Sequence, residues 1–249
     1  DFKITPEQLE AAITPASKVF MFSSPNNPTG SVYSEAELAG LAEVFARYPE
    51  ITVISDEIYE HINFVGKHAS IAHIPGMKDR TVVINGFSKS YAMTGWRIGY
   101  LAANKEIATA CDKMQGQITS ATCSITQRAG IAAYEGGLES VLKMKEAFAR
   151  RRSIVYDLLC DIPGLRTNLP EGAFYFFPDV TAFYNRQYQG TVITNSYDLC
   201  CYLLENAHVA VVSGDSFGDG NCIRISYAAS EEKLTEALKR IKRALAQLS

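Results

Sequence analysis

The run Val19-Phe20-Met21-Phe22 places apolar side chains at four consecutive positions rather than at alternate ones. A strand with one wet face alternates in polarity. A strand without alternation is buried on both faces, the habit of parallel sheets covered by helices on either side. The run leaves through Ser24-Pro25-Asn26-Asn27-Pro28-Thr29-Gly30, where two prolines and a glycine force a sharp exit at the strand's carboxyl end. A second, β-branched run, Ile51-Thr52-Val53-Ile54, ends in Ser55-Asp56-Glu57-Ile58-Tyr59 and reads as another core strand. Strands are expected near 18–23, 51–55, 80–84 and 97–102, and helices near 34–47, 104–117 and 122–134. This alternation calls for an α/β class domain over residues 1–135, three-layered, with a mostly parallel sheet. Ahead of it, Thr5 and Pro6 read as the N-cap and first position of a short helix.

Gly136-Gly137 interrupts that pattern. A long amphipathic stretch over 138–160 follows, with Leu138, Val141, Leu142 and Phe148 on one face and Arg150-Arg151-Arg152 on a solvated one. After Pro163-Gly164 come short strands and a final helix near 231–247, giving a smaller α+β domain over 136–249. Residues 178–194 are polar and aromatic, a long loop or partly helical insert.

With 249 residues, 47% of them hydrophobic, the chain can bury a substantial core in one large or two smaller domains. A net charge of −3 gives no electrostatic case for nucleic acid or a membrane surface. No apolar run approaches a membrane span and no signal peptide opens the chain. Six cysteines lack Cys-x-x-Cys spacing and read as free, buried thiols of a reducing cytoplasm. The four histidines lack paired metal-ligand spacing, so no metal is expected, and each reads as a surface or loop residue.

Chemistry concentrates in Asn85-Gly86-Phe87-Ser88-Lys89-Ser90-Tyr91-Ala92-Met93-Thr94-Gly95-Trp96-Arg97-Ile98-Gly99-Tyr100. A lysine among small and hydroxyl residues can condense with a carbonyl, and the arginine eight positions on can hold a phosphate bidentately. The same run also serves as an ordinary surface loop. Asn27 can present its amide to an oxygen, although Pro28 and Gly30 alone account for a turn. Asp56, at the end of its strand, needs a positive partner if buried, or caps the next helix. Tyr59 can bring a phenol to the same strand mouth. Arg224 interrupts the strand-like Asn221-Cys222-Ile223-Arg224-Ile225-Ser226-Tyr227, and so meets an anion or snorkels from an edge strand.

Together these segments resemble the fold-type I pyridoxal-phosphate enzymes, and more closely the class I aminotransferases of aspartate aminotransferase type. The resemblance rests on Asn-Asn-Pro-Thr-Gly, Ser-Asp-Glu-Ile-Tyr, the lysine run with Gly-Trp-Arg-Ile-Gly-Tyr, and Arg-Ile-Ser-Tyr, in that order over nearly the whole chain. Gly172-Ala173-Phe174-Tyr175 and Val211-Val212-Ser213-Gly214-Asp215-Ser216-Phe217-Gly218 also look familial. The resemblance implies pyridoxal 5'-phosphate as cofactor, an amino acid such as aspartate and a 2-oxo acid as substrates, a homodimer and a cytoplasmic setting. It implies that Lys89 forms the Schiff base and moves the proton. Asp56 would partner the pyridine nitrogen, Asn27 and Tyr59 the phenolic oxygen, and Arg97 the phosphate. Arg224, with Asn27, would take the substrate's α-carboxylate. Where many relatives carry serine or threonine three residues before the lysine, this chain has Gly86, whose backbone N–H can still reach an anion.

Relatives also carry well over a hundred residues before the point matching Asp1, including a glycine-rich phosphate loop and a ring-stacking aromatic. The resemblance therefore implies a C-terminal portion, inactive or nearly so alone and prone to associate. Two other readings share these residues: a carbon–sulfur β-lyase on the same fold, and a non-enzymatic aminotransferase-like effector domain.

Overall fold

A computed structural model describes residues 2–249. The chain forms two compact units. The first runs to Asn26 and resumes over Ser31–Lys145; the second comprises Asn27–Gly30 and Glu146–Ser249.

In the first unit, helix α1 (Pro6–Ala12) opens on a reciprocal cap. The Gln8 amide donates to Thr5 Oγ1 at 3.2 Å, and the Thr5 amide donates to Gln8 Oε1 at 3.0 Å. Strand β1 (Val19–Ser23) leads to α2 (Glu35–Ala46), which Ser34 and Glu37 cap in the same way. Then follow β2 (Thr52–Asp56), β3 (Thr81–Gly86), β4 (Gly99–Ala102), α3 (Lys105–Ile118) and α4 (Ser124–Glu135). The sheet order is β1-β2-β3-β4, with β1/β2 and β2/β3 parallel and β3/β4 antiparallel. Leu38, Leu41 and Phe45 of α2 cover one face of it, packing with Phe20, Phe22, Ile51 and Val53. Arg80, just before β3, donates to the carbonyls of Phe45 in α2, of Tyr48 just after it and of Ile51 just before β2.

Strand β1 departs from its expected burial. Phe20 and Phe22 pack inward, but Val19 and Met21 are 58% and 73% exposed. β1 lies at the sheet's edge, and among the described residues nothing covers its other face. Helix α3 likewise buries no residue, leaving Met114 and Ile118 exposed at 62% and 72%.

Helix α5 (Glu139–Cys160) begins in the first unit and continues in the second. The second unit then adds β5 (Tyr175–Phe176), β6 (Gln187–Tyr188), β7 (Thr191–Val192) and α6 (Ser196–Ala207). It closes with β8 (Val212–Ser213), β9 (Ile223–Ser226) and α7 (Glu231–Leu245). An antiparallel sheet of order β5-β9-β8 packs with these helices around one core, in which Leu159, Leu199, Leu203, Leu238 and Tyr227 are fully or almost fully buried. The segment expected as a loop or partly helical insert holds a hairpin, β6–β7, as well as a 3-10 turn over Thr181–Phe183. Its two turn residues, Gln189 (φ 48°) and Gly190 (φ 84°), adopt the left-handed backbone that tight hairpins need.

The cysteines are free, as expected, but only Cys222 is buried. Cys123 and Cys160 are exposed and the other three are half-buried, because each lies on a helix face turned partly to solvent or just before a helix. Among the described residues no helix is long and apolar enough to cross a membrane.

Candidate active-site residues

The carboxyl end of β2 sorts its side chains by the period-two alternation of a strand. Asp56 falls on one side; Ser55 and Glu57 fall on the other. Asp56 is half-buried, and its Oδ1 accepts from the Ile58 amide at 3.1 Å. Burial pushes its carboxyl above the ordinary range, while the neighbouring Lys89 charge works in the opposite direction. Tyr59 is buried, and Lys89 Nζ stands 5.7 Å from the centre of its ring. Asp56, Tyr59 and Lys89 thus form one neighbourhood.

The loop carrying Lys89 is wound tightly. The Ala92 amide donates to Lys89 O at 3.2 Å, and the Tyr91 and Met93 amides both donate to Phe87 O. Ala92 (φ 53°) and Arg97 (φ 52°) both take the left-handed conformation. For residues with a Cβ this costs on the order of 1–2 kcal/mol each. Arg97 is exposed, with Nη1 donating to Thr94 O at 2.8 Å. The left-handed turn there also explains why β4 starts at Gly99, later than the apolar pattern suggested.

Gly86 is explained by packing. In its pairing with Gly99, an added Cβ would lie 2.9 Å from the Gly99 Cα, so no side chain fits. Its N–H donates to Asn85 Oδ1 at 2.7 Å, so that donor is already engaged within the chain.

On the opposite side of β2, sequence reasoning missed a buried network. Glu57 accepts from Ser55 Oγ at 2.9 Å and Ser70 Oγ at 2.6 Å, and pairs with His68 Nε2 at 2.8 Å. It ties the loop after β2 back to the strand and makes His68 a structural partner rather than a surface residue. The signal was available: Glu57 shares Ser55's alternation phase, inward, whereas Asp56 does not.

In the second unit, Arg224 lies on β9, the central strand of its sheet, which excludes the edge-strand reading. Its Nη1 donates to Asn27 Oδ1 at 2.9 Å, leaving the Asn27 amide NH2 as the donating end. The segment holding Asn27 is pinned at Gly30, whose carbonyl accepts from the Gly172 amide at 2.7 Å. Gly30 has φ 71°, and a Cβ there would stand 2.4 Å from that of Pro170. Only glycine meets both conditions.

The family model for aminotransferase class I and II matches residues 1–241. The chain belongs to this family. It is 49% identical to a bifunctional aspartate aminotransferase and glutamate/aspartate-prephenate aminotransferase of Petunia hybrida, covering 98% of this chain and 52% of that protein. It is 47% identical to an aspartate/prephenate aminotransferase of Cereibacter sphaeroides, covering 100% of this chain and 63% of the other. A crystal structure of aspartate aminotransferase from Rhizobium meliloti superposes with a TM-score of 0.95 at 44% identity, covering all of this chain and 63% of that one. This class I and II aminotransferase chain thus spans between about half and two thirds of the length of these relatives.

Proposed function

We propose that the chain carries the lysine, ring-nitrogen and carboxylate-binding parts of a pyridoxal-phosphate-dependent aminotransferase acting on aspartate or a related amino acid and a 2-oxo acid. The observation that carries this reading is Asp56 and Lys89 set beside Tyr59 at the carboxyl ends of parallel strands, where α/β sheets bind ligands. The relatives named above are aspartate and prephenate aminotransferases, which favours transamination over the β-lyase and non-enzymatic readings.

The residues present fit pyridoxal phosphate. Asp56 is a half-buried carboxylate, its pKa raised by desolvation, and such a group is relieved by a bound pyridinium N–H. Lys89 supplies the amine, and the exposed Arg97 a fork suited to phosphate. Tyr59 and the NH2 end of Asn27 supply donors for a phenolic oxygen. When bound, the group contributes an aldehyde for the lysine and a ring that accepts electrons from the substrate's Cα. The chain's residues do the rest. Lys89 Nζ would move the proton between the substrate's Cα and the cofactor's C4′. An ionised Asp56 would favour the protonated form of the ring nitrogen, which keeps the ring an electron acceptor. Arg224 would hold the α-carboxylate.

The test is chemical trapping. Pyridoxal phosphate is added to the chain, borohydride reduces any Schiff base to a stable secondary amine, and peptide mapping locates the label. We expect the label on Lys89, and Lys89→Ala to lose it. Label spread evenly over exposed lysines would sink the assignment.

A further inference from the structure

Arg224 is held in an unusual way for a half-buried cation. Its Cζ lies 4.6 Å from the ring centre of Tyr175 and 4.7 Å from that of Phe217. Both distances fall well inside the roughly 6 Å range of cation–π attraction. Phe217 is itself braced edge-on by Phe177, at 6.0 Å and 88°, and Tyr175 packs on Phe174 at 4.7 Å. Among the described residues the guanidinium's hydrogen-bond partner is a neutral one, Asn27 Oδ1, and its Nε is buried with no partner. No carboxylate among the described residues forms an ion pair with it.

A desolvated arginine is ordinarily stabilised by a carboxylate, whose two oxygens use up the guanidinium fork. An arginine so paired has few donors left for a ligand. Ring faces act differently. Their negative quadrupole offsets part of the desolvation cost and restrains the planar group, yet they accept none of its in-plane N–H bonds. The charge is therefore kept buried and oriented while its fork, apart from the Nη1 donation to Asn27, stays unspent.

We propose that Tyr175 and Phe217 are positioning residues that pre-orient Arg224 for a substrate carboxylate without neutralising it. The inference rests on the reading of Arg224 as the carboxylate clamp. It adds that recognition strength resides in two aromatic side chains that need not touch the ligand. Tyr175 comes from β5 and Phe217 from the turn after β8, so two separate segments are matched to one guanidinium on the strand between.

Succinate, a dicarboxylate without an amine, is the probe, and calorimetric titration of the full chain is the measurement. Arg224→Gln should abolish succinate binding. Tyr175→Leu and Phe217→Leu should each weaken it roughly tenfold, with circular dichroism unchanged. Tyr175→Phe and Phe217→Tyr, which keep a ring, should restore it, a rescue that a merely space-filling role would not require. Phe217 is on a half-buried turn, so its variants keep the test open if those at Tyr175 fail to fold. Leucine variants that bind as the unaltered chain does, while Arg224→Gln does not bind, would overturn the positioning role and leave the clamp standing. Absence of succinate binding by the unaltered chain would remove both.

Discussion

In the second unit, α5, α6 and α7 turn their apolar faces onto one sheet, and the core closes over residues as large as Tyr227 and Phe176. In the first, α2 closes its side of the sheet as tightly, but β1 and α3 leave their apolar faces open. The two units use the same vocabulary of short strands and amphipathic helices. They differ in whether these 249 residues supply the cover. An apolar pattern states where a face is, and says nothing of what meets it.

The sharpest way to break this comparison is to delete apolar side chains in both units. Leu238→Ala removes a side chain that is 3% exposed and should cost about 2–5 kcal/mol in urea unfolding of the full chain. Ile118→Ala on α3 should stay within roughly 0.5 kcal/mol, because nothing is lost from a packed environment. Equal losses would mean that α3 is covered in solution.

A subtler consequence concerns association. Exposed apolar patches drive contact between copies. Replacing Val19 and Met21 together with threonine puts β-branched strand formers at both positions while removing the patch. Sedimentation should show self-association weakened several-fold with no loss of folded structure. Unchanged association would place the sticky surface elsewhere.

The smallest effect is electrostatic. Burial raises the Asp56 pKa above its ordinary 3.8. Stability linked to this group is thus fully present below that value and is lost as pH rises through the raised one. Without pyridoxal phosphate, Asp56→Asn should raise the melting midpoint at pH 7 by a few degrees, and the gain should fade towards pH 4. A lower midpoint at pH 7 would show that the ionised form is already paired.

Much of this was legible beforehand. The caps at Thr5, the strand ends at Asp56 and the helix after Ser230 follow from local chemistry, which a sequence displays directly. The ring pair around Arg224 was not legible. Tyr175 lies dozens of residues before Phe217 and Arg224, and nothing local distinguishes a ring that faces a guanidinium from one that fills a core. The β6–β7 hairpin escaped for another reason: Gln189 occupies a left-handed position usually advertised by asparagine or aspartate.

The four residues Asn27–Gly30 are numbered within the first unit but belong to the second. The backbone therefore passes from one unit to the other three times: after Asn26, after Gly30 and after Lys145. A single splice at 145/146 would hand Asn27 to one product and Arg224 to the other, and leave Gly172 without the Gly30 carbonyl. The second unit is thus not a cassette. Recombination that swaps it alone carries off an arginine without its amide. In such a chain, the Arg224–Asn27 pair can change by substitution in place and not by exchange of parts.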